Sequence, residues 1–493
     1  MKKLVFFILL FCFASSIQSQ VKYDYTWIFG NPDFNGNSVS FHDELLLDTV
    51  DIFMSTGTSY TNISDKEGNL LFYTNGCLIA DASHNLMLNG DSLISSGFFY
   101  DATCAIGNGM VTIQSCLALP MPQNDSLYYL FHQPREVINF DAVNTSFQYV
   151  LINMNLNNGL GAVVEKNIPI REEPLYAGNL TAVKHSNNED WWILLPKIDT
   201  NIFYNILLTS EGIIDTFHQA MGYINTNAGE GASHAVFSPD GTMYARYSPG
   251  DELAIFDFDR STGLLSNYRF IEIEEEADFG SLSISPSSQY LYLSNFLELF
   301  QFDLWAADIE SSKILIDTFD GFTSPFPTTL YQMQLGPDCK IYMNSHNGVD
   351  VLHVINNPDA QGLNCDFVQH GIQLPSFNNA SMPNYPNFRL GTGEPVCDPN
   401  ITTSIFQPFI VEASPKIYPN PSDGHFFIDY KNTGKQCYFK MYDALGRMVF
   451  STELSQGQDR HELFLDKIEN GIYFYTMVED GERIDSGKLV IRE

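Results

Sequence analysis

The sequence SHAVFSPDG at residues 233–241 contains the strongest candidate for chemistry in this chain. His234 lies at the start of a predicted strand, where a neutral imidazole could act as a general base on a water molecule. The following Ser-Pro-Asp-Gly suits a tight turn, because proline presets φ and glycine tolerates positive φ. A histidine at this place could equally brace that turn, so the catalytic and the structural interpretations both stay open.

Trp191 and Trp192 are adjacent on another predicted strand. Because successive side chains of a strand point to opposite faces, one ring is expected to point inward and the other outward. An outward ring could stack on a sugar and would make these residues candidates for ligand binding. In the alternative, both rings are packed, one on each side of the sheet.

Asp33, Asn35 and Asn37 alternate as oxygen ligands do in calcium loops. The EF-hand spacing is not met, since the glycine comes one place early and no glutamate follows at the twelfth position. An Asx-rich turn is the alternative, and calcium is the one cofactor that the sequence leaves open. The acidic residues Asp257, Asp259, Glu272 and Glu274–Glu276 could also bind cations, but a charged strand edge explains them as well.

The chain's composition excludes several classes of protein. Of 493 residues, 59 are Asp or Glu and 25 are Lys or Arg, which gives a formal net charge of −34. Phosphate backbones and anionic membranes would be repelled, so a nucleic-acid partner is not expected. No phosphate-binding loop, dinucleotide fingerprint, zinc-protease motif or serine-hydrolase elbow is present in the sequence.

A repeated strand–turn–strand pattern predicts the architecture. Clear copies centre on Pro239, Pro286 and Pro337, and looser copies lie upstream near residues 63–73, 119–130 and 182–194. A unit of about four strands recurring every ~40–50 residues is the period of a β-propeller blade. The sequence therefore predicts an all-β fold, a propeller of six or seven blades followed by a small immunoglobulin-like β-sandwich.

Residues 1–19 are typical of a signal peptide, with Lys2 and Lys3 before an apolar run too short to span a bilayer.

Export permits disulfides. Seven cysteines follow the signal, so at least one is expected to be unpaired within the chain. The pairs nearest in sequence are Cys104 with Cys116 and Cys365 with Cys397, although proximity alone decides neither.

The repeat ends near Gly391, and a second set of short strands begins after a Gly- and Pro-containing stretch. Six or seven strands separated by glycine turns predict a small sandwich. We therefore expect a propeller at 20–392, a linker at 393–414 and a C-terminal module at 415–493.

The C-terminal module resembles the type A sorting domain of the type IX secretion system of Bacteroidota. The matching stretches are YPNP at 418–421, DALGR at 443–447, NGIY at 470–473 and GKLVI at 487–491. The resemblance implies that these motifs form the sorting signal, that the type IX machinery is a partner, and that the protein is released or attached to surface lipopolysaccharide. The sorting-signal residues are Tyr418, Pro419, Asn420, Pro421, Gly446, Arg447, Gly471, Tyr473, Gly487 and Lys488.

The larger part resembles exported Bacteroidota proteins with WD40-like blades, through GNLLFYTNG at 68–76, LTAVKH at 180–185 and VINNP at 354–358. Residues 233–241 also look like a stretch of lactonase-type propellers, although Ser233 stands where that family favours arginine. Two functions follow as predictions. The first is a secreted or cell-surface propeller that binds a protein or glycan. The alternative is a lactonase- or glycosidase-like hydrolase acting on extracellular carbohydrate.

Overall fold

The chain is described from a computed structural model, which covers residues 21–138, 141–224, 233–249, 252–273, 279–401, 416–430, 436–443, 447–455, 460–465, 468, 470–479 and 482–492. It divides into two compact units, Met1–Ser404 and Ile405–Glu493. Within the described ranges, no helix is long and apolar enough to cross a membrane. The predicted signal peptide lies outside the described residues.

The first unit is a propeller with seven blades among the described residues, each an antiparallel sheet of three or four strands. The blades are numbered in chain order. The two three-stranded blades are blade 1, with β1 (Thr26–Gly30), β2 (Gly36–Ser40) and β3 (Leu46–Val50), and blade 2, with β4 (Thr61–Ser64), β5 (Leu70–Thr74) and β6 (Ile79–Asp81).

The other five blades have four strands each. Blade 3 contains β7 (Cys116–Pro120), β8 (Leu127–His132), β11 (Phe147–Asn153) and β12 (Ala162–Arg171). Blade 4 contains β13 (Thr181–Lys184), β14 (Trp191–Pro196), β15 (Ile202–Thr209) and β16 (Gly212–Ala220). Blade 5 contains β17 (His234–Phe237), β18 (Met243–Ser248), β19 (Glu252–Asp259) and β20 (Leu264–Glu272). Blade 6 contains β21 (Ser281–Ile284), β22 (Tyr290–Ser294), β23 (Glu298–Asp303) and β24 (Ile314–Thr318). Blade 7 contains β25 (Met333–Leu335), β26 (Ile341–Met343), β27 (Gly348–Ile355) and β28 (Phe367–Asn379).

The three clear sequence repeats lie where they were predicted, at the turns between the first and second strands of blades 5, 6 and 7. In blade 5, Ser238 Oγ donates to Asp240 Oδ1 at 2.6 Å, and Gly241 adopts φ +73°. A side chain there would meet Arg260, Leu390 and Val183. The turn therefore needs glycine for its backbone conformation and for the space that its neighbours occupy.

The ring closes between the last blade and the first. The first strands of successive blades contact one another, and β28 packs against β1 and β2. The Asn37 amide on β2 accepts from Ser376 N at 2.9 Å and donates to Phe377 O at 3.3 Å. These bonds join residues about 340 positions apart in sequence, so the two ends of the propeller are held together by specific contacts.

One face of the propeller carries the large insertions. Strands β9 (Arg135–Ile138) and β10 (Asp141–Asn144) form a hairpin between the second and third strands of blade 3. Residues 89–115 lie between blades 2 and 3, include a short π-helix at Tyr100–Cys104, and are joined to blade 2 by the disulfide Cys77–Cys104. We call this side, where the first strands of blades 2 to 7 begin, the insertion face. The remaining helices are single 3₁₀ turns at Pro32–Phe34, Asn157–Gly159, Glu310–Ser312 and Gly362–Cys365.

The second unit consists of two sheets around one core. The smaller sheet has the order β29 (Lys416–Tyr418), β30 (His425–Asp429) and β33 (Arg460–Phe464), and the larger has β32 (Met448–Leu454), β31 (Cys437–Tyr442), β34 (Gly471–Glu479) and β35 (Glu482–Ile491). Alternate residues of these strands, such as Phe426, Phe439 and Met477, are fully buried between the sheets. The all-β prediction and the two-part architecture are confirmed, while the immunoglobulin-like label for this unit stays a prediction.

The disulfides differ from the pairs nearest in sequence. Cys77 pairs with Cys104 and Cys339 with Cys397, and Cys116 and Cys365 are buried free thiols. The expectation of at least one unpaired thiol is confirmed. Because Cys397 is bonded to blade 7, the beginning of the predicted linker at 393–414 belongs to the propeller unit.

Candidate functional site

The central channel of the propeller contains a cavity of about 70 Å³ that is partly open to solvent. First strands of blades 4 to 7 line it on one side, and a segment at residues 384–389 lines it on the other. His234 faces this cavity, so the sequence identified a residue of the channel. Asp24 is the sole carboxylic acid among the described lining residues.

The environment of His234 is poor for a general base. The side chain is buried, and burial lowers the pKa of the imidazole to about 3. Its Nδ1 accepts a hydrogen bond from Leu282 N at 3.3 Å, so the neutral ring carries its proton on Nε2. Neither nitrogen then offers a free lone pair to a water molecule. The contact instead ties blade 5 to the first strand of blade 6, which favours the bracing interpretation.

The side chain of Asn384, which the sequence did not single out, lines the cavity and bonds to several blades. Its Nδ2 donates to Cys116 O at 3.0 Å and to Leu180 O at 2.8 Å, and its backbone oxygen accepts from Thr61 Oγ1 at 3.2 Å. Its Oδ1 accepts from Gln114 Nε2 at 3.3 Å. This one residue thereby connects blades 2, 3 and 4 at the propeller axis.

Gln114 extends the same network to a further blade. Its amide exchanges two hydrogen bonds of 2.8 Å with the backbone N and O of Ala235, next to His234. Tyr385 N, beside Asn384, donates to Gln334 Oε1 of blade 7 at 3.2 Å. Buried amides with all these partners satisfied act as a rigid cross-link between blades.

A buried ion pair closes the channel on the side opposite the insertion face. Arg389 donates from both terminal nitrogens to Asp24, at 2.6 and 2.8 Å, and both side chains are almost fully buried. Arg389 Nε also donates to Val396 O at 2.6 Å. Among the described residues that line the cavity, the one carboxylate is thus engaged by a guanidinium, and it is not placed as an acid partner for His234.

The structure buries both candidate tryptophans. Trp191 is 0% exposed and packs edge-on against Phe388 at 5.8 Å between ring centroids, with the Lys184 ammonium 4.0 Å from its ring. Trp192 is 3% exposed and its Nε1 donates to Arg260 O at 2.9 Å. The expectation of an outward, sugar-stacking ring is wrong, because inter-blade packing covers both faces of this strand. The packed alternative is the observed arrangement.

The residues proposed for calcium do not converge. Asp33 lies in an exposed 3₁₀ turn, and Asn35 continues it with φ +63°. Asn37 is fully buried, and both atoms of its amide bond to the backbone of β28. Within the described ranges, no group of three or more His, Cys, Asp or Glu side chains could hold a metal ion. Calcium binding at these positions stays a prediction.

The acidic strand edges are occupied by the protein's own donors. Asp257 accepts from Arg269 and from Asn267 across β19 and β20, both at 2.5 Å. Asp259 accepts from the hydroxyls of Ser261 and Thr262 in the following turn, at 2.7 and 2.8 Å. Glu274–Glu276 lie outside the described residues.

The insertion face carries an aromatic cluster that the sequence reasoning missed. Phe279 and His346 stack with centroids 4.2 Å apart, Tyr331 meets His346 edge-on at 4.8 Å, and Phe296 lies 5.7 Å from Phe279. All four come from loops of blades 5 to 7 on this face. Phe296 has φ +80°, a strained conformation for a bulky residue, and such strain concentrates at functional sites.

Other exposed apolar side chains lie on loops of the same face. Each is roughly half or more exposed, and they are Phe98, Ile106, Val111, Tyr223 and Phe326. Exposed apolar patches on soluble proteins often mark binding sites. The signal in sequence would have been the apolar residues in the longest inter-blade connections.

The motif residues of the second unit are mostly structural. Asn420 in the YPNP stretch donates to Lys488 O at 2.7 Å and accepts from Val490 N at 2.9 Å, which attaches the start of the unit to its last strand. Arg447 pairs with Asp443 at 2.7 Å across the DALGR turn. Tyr473 packs in the core. Gly446 lies outside the described residues.

Two further motif residues adjoin on the last strand and have different surroundings. A side chain at Gly487 would meet the Tyr475 hydroxyl at 2.7 Å, so this position needs glycine for space. Lys488 is exposed and faces away from the core, since its neighbour Leu489 is fully buried. Lys488 is therefore a motif side chain that is available to a partner. The other predicted sorting-signal residues are Tyr418, Pro419, Pro421 and Gly471.

Residues 416–492 match the family described as a secretion system C-terminal sorting domain. The second unit is a sorting domain. It indicates export through the type IX secretion system to the cell surface or the medium, and it implies contact with that machinery. The predicted location and export route are thereby confirmed.

The chain is also similar to solved structures at low identity. A putative 6-phosphogluconolactonase from Bacteroides fragilis is 10% identical, with a TM-score of 0.39, over 74% of this chain and 98% of that chain. The extracellular domain of a putative hybrid two-component system from B. thetaiotaomicron is 10% identical, with a TM-score of 0.39, over 96% of this chain and 56% of that chain. A periplasmic gluconolactonase from Pseudomonas aeruginosa is 14% identical, with a TM-score of 0.32, over 52% and 70%. No curated protein matches this chain.

Proposed function

We propose that the propeller is a non-catalytic binding module, delivered outside the cell by its sorting domain, and that its ligand binds at the insertion face. The observation that carries this proposal is that the polar side chains lining the channel bond to the protein itself, with Asn384 and Gln114 cross-linking the blades. Enzymes need a base within reach of substrate and an acid to match it. Here His234 is held by a backbone donor, and Asp24 is held by Arg389.

The insertion face supplies the alternative surface. In its aromatic cluster, Phe279, Phe296 and His346 are partly exposed while Tyr331 is buried, and burial lowers the pKa of His346, which favours its neutral ring. Neutral aromatic surface suits a ligand with apolar or ring-shaped faces, such as a glycan. Attachment of the mature protein to surface lipopolysaccharide would place this face at the cell exterior and belongs to the same proposal.

The test compares one variant at each candidate site in the full-length protein recovered from the native host. Binding is measured on an array of bacterial and host glycans, and hydrolysis is measured with glucono-δ-lactone. We expect F296A to lose glycan binding at least 10-fold and H234N to keep it. We expect no lactone hydrolysis by the wild type or by either variant.

Lactone hydrolysis by the wild type that disappears in H234N would overturn the proposal in favour of the lactonase-like alternative. A wild type that binds no glycan and hydrolyses no lactone would reject the glycan as ligand. Equal glycan binding by F296A and wild type would reject the aromatic cluster as the site. Trp fluorescence spectra of both variants control for folding, because all four tryptophans of the chain lie in the propeller.

A further inference from the structure

The outer face of the four-stranded sheet in the sorting domain is apolar and exposed. Met448, Tyr442, Phe474 and Lys488 are direct cross-strand partners in one row across β32, β31, β34 and β35. Met448 is 59% and Phe474 50% exposed. Directly opposite residues of antiparallel strands share a face, so these side chains form one continuous strip.

A second pair lies on the same face. Ile472 is directly opposite Val490, two positions along each strand from Phe474 and Lys488. Ile472 is 51% exposed, whereas the intervening Tyr473 and Leu489 are buried. Lys440 flanks the strip on β31, because its neighbours Phe439 and Met441 are buried on the opposite side. The result is an apolar strip flanked by two lysines.

The other sheet of the same domain provides a contrast. Phe464 is 61% exposed, but it stacks on His425 with centroids 4.1 Å apart, and His425 pairs with Glu462 at 2.8 Å. Arg460 lies over Phe427 at 5.8 Å. Rings on that sheet therefore have partners within the domain. Phe474 makes no ring contact with another residue in the described ranges.

We propose that the strip of Met448, Tyr442, Phe474, Ile472, Val490 and Lys488 is the surface by which this sorting domain docks on the type IX secretion machinery. The partner surface is apolar and is bordered by carboxylates that meet Lys440 and Lys488. The choice of occupant follows from the sorting-domain match at residues 416–492, since a domain of this family must be recognised during export. The proposal does not depend on what the propeller binds.

The motif positions agree with this assignment. Asn420 holds the backbone on both sides of Leu489, through Lys488 O and Val490 N. Glycine at 487 lets the Tyr475 ring lie close to the last strand. Both residues thus fix the strand from which Lys488 and Val490 project, although neither forms part of the strip.

The experiment compares matched phenylalanines on the two sheets. The native host produces the full chain with F474S, F464S or F474L, and immunoblots quantify the protein in the medium, at the surface and in the periplasm. We expect F474S to reduce exported protein at least 5-fold with accumulation in the periplasm. F464S and F474L should export as the wild type does, because the first alters the other sheet and the second keeps the apolar surface.

Wild-type export of F474S would overturn the proposal, and so would equal losses in F474S and F464S. Both substitutions are at exposed positions, so the melting temperatures of the purified variants should stay within about 4 °C of the wild type. If the melting temperature of F474S falls below this range, the variants K488E and K488R provide the test of docking instead. Loss of export in K488E with retention in K488R supports docking through charge, and equal export by both overturns it.

Discussion

The two units of this protein use the same local device for different purposes. Each has an asparagine next to proline whose side-chain amide bonds to the backbone of other strands, Asn384 in the propeller and Asn420 in the sorting domain. Asn384 is buried at the axis and reaches three blades, directly or through its backbone oxygen. Asn420 is exposed and reaches one strand. Burial decides how much each contributes, because water can replace lost partners only at the exposed site.

Ion pairs show the same difference between the units. Arg389 and Asp24 are buried in the propeller, with both guanidinium ends engaged. Arg460 makes an equally bidentate contact with Asp429 in the sorting domain, at 2.6 and 3.1 Å, but its side chain is exposed. The comparison predicts that similar geometry stabilises the two units to very different extents.

The largest effect is expected for R389M. It leaves the Asp24 carboxylate buried without its cation, which typically costs about 3–5 kcal/mol. Urea unfolding followed by Trp fluorescence measures the propeller selectively, because all four tryptophans lie in that unit. The double variant D24N/R389M should recover part of the loss, since no charge is then left unpaired.

The matched control is R460M in the sorting domain, followed by hydrogen exchange of the peptides that contain β30 and β33. An exposed pair contributes little, so we expect exchange in these strands to be unchanged. A loss of stability in R460M as large as the loss in R389M would contradict the role assigned to burial.

The next effect concerns N384A, which removes the amide at the propeller axis. Cys116 O and Leu180 O lose their donor in a buried position, so the propeller should be destabilised by about 2–3 kcal/mol. Urea midpoints from Trp fluorescence report the change. Stability equal to that of the wild type would show that water from the cavity satisfies these carbonyls when the amide is removed.

The propeller period could be predicted because turn chemistry is local. Pro239 and Gly241 specify a turn whatever the rest of the chain does, and the copies at Pro286 and Pro337 repeat that signal. Asn384 gave no such signal. Its partners lie 268 and 204 residues away, so only the closed ring shows what its amide does.

The sequence left the cysteine pairing and the exposure of the tryptophans open. Cys116 is buried on β7 without a disulfide, and Cys104 pairs with Cys77 across 27 positions. Alternation correctly placed Trp191 and Trp192 on opposite faces, but in a propeller both faces of a sheet are covered by neighbouring blades. The sorting domain was predicted from its motifs, although the residues in those motifs proved mainly structural.

Acid should destabilise the propeller through its buried histidines. Burial lowers the pKa of His234 to about 3, and of His132 and His353 to about 4. Below pH 6.5 the unfolded chain binds protons at these rings while the folded chain does not, so the contribution present above that pH is lost as pH falls. Each ring accounts for about 2 kcal/mol between pH 7 and pH 5.

The measurement compares urea midpoints at pH 7 and pH 5 for the wild type and H132Q. Because the net charge of −34 also falls in acid, the informative quantity is the difference between the two proteins. H132Q should lose less stability on acidification. Parallel losses would mean that His132 is not held neutral in the folded state.

The smallest effect is expected for N420A in the sorting domain. The variant removes the amide nitrogen that donates to Lys488 O and the amide oxygen that accepts from Val490 N. Both backbone groups can bond to water instead at this exposed position. We therefore expect a loss of about 1 kcal/mol, seen as faster hydrogen exchange in peptides covering β35 and none elsewhere. If the loss equals that of N384A, then the YPNP stretch is part of the domain's core stability, and burial alone does not separate the two asparagines. If exchange is unchanged but export fails, Asn420 acts in recognition directly, and the docking strip must be extended to include it.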